Sequence, residues 1–311
     1  MGLALLLIIW LITFFSSYFF VAHAWWPHAI SASAPYIDHQ WHLTFIAMGV
    51  IFIMAQVTLG LFVWRFRDRG DTAKASYSHG NNKLELTWTV LTAILFLGLN
   101  AIGSPIWAAE RFQPADQGAM KVEVTGLQFA WYFRYTGADN KFGTTRPELE
   151  DASLGGLSAL GVDPNDPASK DDVVSGILEL PVNSEIDLTL RSQDVIHSFF
   201  VPAMRFKQDA VPGLMIHMHF RPEQTGDYEI ACAELCGLGH YKMHGIMRVV
   251  SELYFQKWLA ARETDKQLHS HTAQQARHRL RFTDTLRPAS SASMSSAWTT
   301  KSSASSTTSW L

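Results

Sequence analysis

Cys232-Ala-Glu-Leu-Cys236-Gly-Leu-Gly-His240-Tyr-Lys-Met243 sets two thiols, an imidazole and a thioether within twelve residues. The glycines between them let a loop fold back on itself. Thiolate and thioether are soft donors and imidazole is borderline, a set that suits copper rather than calcium or magnesium. Upstream, Asp194-Val-Ile-His-Ser-Phe-Phe-Val-Pro202 offers His197 as a second imidazole, on a strand that can lie beside the loop.

The donor count points to two metals. A mononuclear blue-copper site uses one Cys, two His and a weak axial ligand. Here two Cys, two His and one Met are on offer. If both thiolates bridge two coppers they fill four of eight positions, and His197, His240 and Met243 fill three more. A loop carbonyl, most simply that of Glu234, completes two four-coordinate sites. A Cys232–Cys236 disulfide and a zinc site of two Cys and two His are the rivals. The disulfide leaves the His and Met spacing unexplained, and zinc has no use for Met243.

The 311 residues, 48% of them hydrophobic, hold one soluble domain plus membrane segments. A net charge of -3 supplies no basic face for a nucleic acid. Both cysteines lie in the loop, so no spare disulfide is available, and no Cys-x-x-Cys-His attaches a haem covalently.

Three apolar runs precede the loop. Leu3–Ala22 carries no charge and is long enough to cross a bilayer as a helix of about 30 Å. Ala22-His-Ala24 resembles a leader-peptidase site, but no Lys or Arg precedes the run and it exceeds the usual leader core. The balance favours a retained membrane helix. Leu43–Trp64 and Trp88–Trp107 are the other two runs, flanked by Arg65, Arg67, Arg69, Lys74 and Lys83. Those cations place the intervening loop in the cytoplasm and everything after Ala109 on the opposite side. Trp residues at the run ends form interfacial belts.

From Lys121 the pattern shortens to strands. Gly126–Tyr135 is dense in aromatics, and Asp139–Asp172 is rich in Gly, Pro, Asp and Ser and reads as a surface insertion. Strands resume over 176–180, 186–191, 195–201, 214–220, 228–232 and 245–250, which predicts a sandwich or barrel. His217 and His219 share the polar face of one of them and are expected to be solvated. A helix follows over 252–266 with Leu253, Trp258 and Leu259 as its apolar positions, then a disordered His-, Ser- and Thr-rich tail. The expected division is 1–24, an N-terminal apolar segment; 40–110, a membrane hairpin; 120–252, the copper domain; and 253–311, helix and tail.

From Trp41 to Val250 the chain resembles cytochrome c oxidase subunit II, on the copper loop and the His197-Ser-Phe-Phe-Val-Pro202 motif. The resemblance implies a membrane hairpin of two helices, three with the N-terminal one, followed by an all-β Greek-key cupredoxin sandwich. It implies a binuclear copper (CuA) centre that takes electrons from cytochrome c and passes them to haem in subunit I, where oxygen is reduced and protons are moved. Subunits I and III and membrane lipid are the implied partners, in a bacterial inner membrane with the copper domain on the periplasmic side. The Glu234 carboxylate matches a magnesium ligand shared with subunit I. Glu85, in Glu-Leu-Thr-Trp-Thr, matches a carboxylate at the mouth of a proton channel; taken alone it reads as a helix-dipole partner or cap. Relatives read Gln-Trp-Tyr-Trp where this chain has Gln128-Phe-Ala-Trp131, so Phe129 and Trp131 become the electron-entry candidates and Asp194 the donor-docking acid. A copper-free quinol oxidase subunit lacks these ligands, and a copper-delivery protein has no need of the hairpin with Glu85.

Overall fold

The computed structural model describes residues 1–23, 27–68, 77 and 79–262. The sequence-predicted tail, the Ala24 cleavage position, Arg69 and Lys74 lie outside the described residues.

Three long apolar helices lead. α1 spans Gly2–Ala22, α2 Ala34–Arg65 and α3 Asn82–Phe112, each long and apolar enough to cross a membrane. α2 and α3 have 32 and 31 residues, about 48 and 46 Å of helix, so both exceed a hydrocarbon core of ~30 Å. Their extra turns explain why they begin before the apolar runs do. Pro35 sits at the start of α2, where its fixed φ costs no hydrogen bond. Asn81 caps α3 by accepting from the Lys83 and Leu84 N–H groups at 3.1 and 3.2 Å. α1 packs along α2, with the Phe20 and Phe45 rings 5.5 Å apart. Gln40 on α2 donates to the Leu99 carbonyl of α3 at 2.9 Å.

Ten strands then form two five-stranded sheets. One runs β3 (Val173–Ser175), β2 (Ala130–Tyr135), β1 (Met120–Leu127), β5 (Ile186–Ser192), β8 (Ile216–Phe220). The other runs β4 (Leu178–Pro181), β10 (His244–Val250), β9 (Gly226–Cys232), β6 (His197–Val201), β7 (Phe206–Ala210). Parallel pairs β1–β5 and β4–β10 sit within otherwise antiparallel sheets. The register aligns inward-facing residues: Val124 lies opposite Phe133 on one side and Leu190 on the other. These side chains meet Phe199, Ile230, Met247 and Val249 from the second sheet in one buried core. This is the all-β sandwich the sequence predicts, with β3 and β7 added.

Two expectations change here. The insertion 139–172 is packed rather than purely superficial: Leu160 and Asp172 are fully buried, and Ala159 and Val162 nearly so. It covers the outer face of the first sheet, where Arg134 points away from the core. The Arg134 Nε donates to Asp172 Oδ2 at 3.1 Å, a second nitrogen bonds the same carboxylate, and a third lies 3.6 Å from Glu123. In the helix over 252–262, Phe255 is the buried anchor, with Trp258 packed beside it, whereas Leu253 is exposed. Both rings stack around Tyr135.

The sandwich is fastened to both ends of the helical hairpin. Before α2, the Ile30 N–H donates to the Ala203 carbonyl and Ala32 to Arg221, while Glu223 donates back to Ile30. Arg205 pairs with Asp38 of α2 at 2.7 Å. After the membrane-crossing part of α3, His219 meets the Ala109 carbonyl through Nε2 at 2.8 Å and Glu185 through Nδ1 at 2.7 Å. His219 is therefore engaged, not a solvated strand residue; His217 is exposed, with Thr189 Oγ1 3.2 Å from its Nδ1.

Candidate metal centre

Strands β6 and β9 lie antiparallel, Phe199 opposite Cys232, which sets His197 at the start of one strand beside the thiol at the end of the other. The loop after Cys232 turns back so that the Cys232 N–H donates to the Met243 carbonyl at 3.2 Å. Within it a 3-10 turn, His240–Lys242, is closed by Met243 N–H on the His240 carbonyl at 3.1 Å. Gly237 sits at φ +131°, a conformation that only glycine adopts cheaply, and it reverses the chain between Cys236 and His240.

The donors converge. Cys232 Sγ and Cys236 Sγ are 3.9 Å apart, far beyond a disulfide bond, and both thiols are free. His197 Nδ1 is 4.0 Å from Cys232 Sγ, and the Glu234 carbonyl 3.2 Å from the same sulfur. His240 Nδ1 and Met243 Sδ approach Cys236 Sγ at 3.6 and 3.7 Å. Among the described residues, His197, Cys232 and Cys236 form the metal-capable cluster, their ligand atoms all within 4.8 Å of one another. An ion with thiolate bonds near 2.3 Å reaches both sulfurs from either side of the line joining them. Two sulfurs, two imidazoles, one thioether and one carbonyl thus fit a pair of soft ions, and Met243, almost wholly buried, has a place that a zinc site would not use.

Burial pushes the Cys236 thiol up to about 11, helped by the neighbouring Cys232. A metal binding in the loop therefore displaces a proton from Cys236.

The surroundings reassign several residues. Burial alone would raise the Asp194 carboxyl, but hydrogen bonds from His197, the Gln128 N–H and the Val195 N–H outweigh it and hold it below the usual carboxylate range. Those bonds are 2.8, 2.7 and 2.7 Å. Asp194 thereby holds the proton on Nε2 of His197 and leaves Nδ1 turned to the sulfurs, as carboxylates behind metal-binding histidines do. The acid expected to meet a donor is tied to a ligand. Trp131 is only 3% exposed, and its ring stands edge-on to His197 at 5.9 Å, so it belongs behind the centre and not on the docking surface. Phe129 does reach the surface, at 37% exposure, and lies across the loop. A side chain at Gly239 would strike the Phe129 ring. Glu234 is exposed on the loop. Glu85 is remote, in the first turn of α3 with the helix length between it and the loop, and Asn81 takes the cap.

Gly126 was missed by the pattern reading. A Cβ there would lie 2.9 Å from the His197 ring and 3.1 Å from Trp131, so the strand needs glycine where the imidazole crosses it. A glycine directly after the alternating 121–125 run, still within β1, was the available signal.

Known proteins resemble both the helical and the β part of this chain. The family described as cytochrome C oxidase subunit II, periplasmic domain, matches residues 120–250, and its transmembrane domain matches 22–104. The alternative cytochrome c oxidase subunit 2 of Bradyrhizobium diazoefficiens is 34% identical over 84% of this chain and 93% of its own length. The cytochrome c oxidase subunit 2 of Cereibacter sphaeroides is 31% identical over 74% of this chain and 77% of its own. A solved periplasmic domain of oxidase subunit II from Bradyrhizobium japonicum is 28% identical, covering 49% of this chain and 97% of its own, with a TM-score of 0.35. The chain belongs to the cytochrome c oxidase subunit II family.

Proposed function

We propose that this oxidase subunit is the electron-entry subunit, taking electrons from a cytochrome c at a pair of copper ions and passing them to haem in subunit I. The observation that carries the reading is the convergence of four further donors on two free sulfurs 3.9 Å apart. His197, Cys232, Cys236, His240, Met243 and the Glu234 carbonyl hold the copper; bound there, it supplies one-electron redox chemistry. The chain's own part is to keep the donors where both oxidation states accept them. Asp194 locks His197, Gly126 gives its ring room, and the sandwich core excludes water behind it. The Glu234 carboxylate, exposed on the loop, is the ligand for a magnesium shared with subunit I; subunit III completes the assembly. The three apolar helices sit in a bacterial inner membrane, with the β domain on the periplasmic side.

Donor docking is apolar in this reading. Phe129, Leu235, Leu238 and Tyr241 are exposed around the loop, and the nearby Asp194 is occupied by His197. Charge-guided docking is screened over ~8 Å at physiological salt and slows as salt rises. Oxidation of the donor cytochrome by the assembled enzyme should therefore depend weakly on ionic strength. Phe129→Ala should lower kcat/KM about tenfold, the cost of an aromatic anchor worth ~1.4 kcal/mol. A steep fall with salt, or indifference to Phe129→Ala, rules this docking out.

Glu85, in the first turn of α3, is the entry carboxylate for protons on the opposite side. Glu85→Gln should slow turnover while the copper is still reduced at the normal rate. Unchanged turnover from neutral to alkaline pH would leave Glu85 as a helix-dipole partner only.

A further inference from the structure

The turn between β1 and β2 makes two bonds to the metal centre through one residue. The Gln128 side chain lies 2.5 Å from the Cys236 carbonyl, on the far side of the peptide that follows the sulfur. A carbonyl only accepts, so the contacting atom is the amide Nε2–H and the orientation of the Gln128 amide is fixed. The backbone N–H of the same residue donates to Asp194 Oδ2 at 2.7 Å, while Asp194 Oδ1 holds His197 at 2.8 Å. One residue thus touches the loop carrying Cys236, His240 and Met243, and also the carboxylate that orients His197. The loop is built to receive it: a Cβ on Gly237 would lie 2.8 Å from Gln128 Nε2 and 3.2 Å from the Phe129 ring.

We propose that Gln128 is a positioning residue for the metal centre, a clamp that fixes the Cys236–Met243 loop relative to the His197 segment. The two ligand segments come from different parts of the chain, joined directly at the Phe199–Cys232 and Phe200–Ala231 pairs of β6 and β9. That pairing fixes Cys232 against His197 but leaves the distal half of the loop, from Cys236 onward, to be held by other contacts. Gln128 supplies one of them, at the Cys236 carbonyl. The inference rests on the copper reading above and adds a residue that binds no metal.

The test uses the full chain in detergent, loaded with copper alone. Gln128→Met keeps the volume and removes the donor; Gln128→Asn keeps the amide and shortens its reach. Both should still bind two coppers per chain. Both should alter the copper hyperfine pattern and the thiolate-to-copper absorption, and release copper to a chelator about fivefold faster, the order of one lost hydrogen bond. A residue that only fills space would be replaced by Met without change in spectrum or release. Fold integrity is checked independently in the copper-free wild-type chain labelled with nitrogen-15 at glutamine. There the Gln128 side-chain amide should exchange with solvent about tenfold more slowly than an exposed glutamine. Wild-type spectra and release in both variants, or rapid exchange of the Gln128 amide, would overturn the clamp. A wild-type chain that binds no copper pair would instead overturn the copper reading, so the two failures are distinct.

Discussion

Cys232→Ser abolishes the copper pair. Serine keeps the size and polarity of the side chain but replaces a soft, readily ionised thiolate with a hard hydroxyl. Both proposed coppers share each sulfur, so loss of one bridge weakens both ions together instead of removing one. Cys232 also sits at the junction of the His197 and Glu234 contacts, 4.0 and 3.2 Å from its sulfur, which are left without their common partner. Metal analysis of the purified full chain should fall from two coppers towards none, and the delocalised signal of a coupled pair should vanish. Met243→Leu is the contrast. It removes a single weak donor from a buried position, so copper should remain and its reduction potential should move. Two coppers in Cys232→Ser with an unchanged spin signal would show that this thiol does not bridge.

The second large effect is on stability. Arg134→Leu should destabilise the β domain by ~3–5 kcal/mol, because Asp172 and Glu123 stay buried after their cation is gone. The Arg134 side chain is 1% exposed, Asp172 is fully enclosed and Glu123 nearly so. The guanidinium also donates to the Gly143 carbonyl at 2.6 Å and lies over the Phe142 ring at 5.1 Å, so the insertion loses its main attachment. Thermal unfolding followed by tryptophan emission should shift down by about 10 °C or more. The copper spectrum at low temperature should stay as it was, since none of these groups touches a ligand. Combining Arg134→Leu with Asp172→Leu should recover part of the loss, as coupled sites do not add. A shift of only a degree or two would mean that water reaches the pair.

The parts of this molecule that were legible in the sequence are those whose chemistry is local. The copper loop carries four donors in twelve residues, and three charge-free runs announce their helices. β7 was not legible because Phe206-Lys-Gln-Asp-Ala210 is an edge strand, with Lys207 and Asp209 partly exposed on it, so its alternation is blunted. β3 is three residues long, too short for a period to show. The insertion looked superficial because several of its buried members, Asp172 and Ser169 among them, are polar, and Asp172 is held by an arginine 38 positions before it. Asp194 looked like a docking acid for the same reason: its partners, His197 and the Gln128 N–H, could be known only once β1, β2 and β6 were assembled. Trp131 carries the same lesson, since an aromatic strand does not say which rings face the core.

The β domain is bolted at two places, through residues 30–38 before and within α2 and through Ala109 near the end of α3. A domain hung from one helix can pivot; one secured to both legs of a hairpin can pivot only by breaking a half-buried ion pair or a histidine link. These ties set the position of the Cys232–Met243 loop relative to both helices. Electron tunnelling weakens exponentially with gap, so a mount that removes variation in the gap removes variation in the rate. For the proposed copper pair, such a mount would hold its distance to any partner bound against the same two helices.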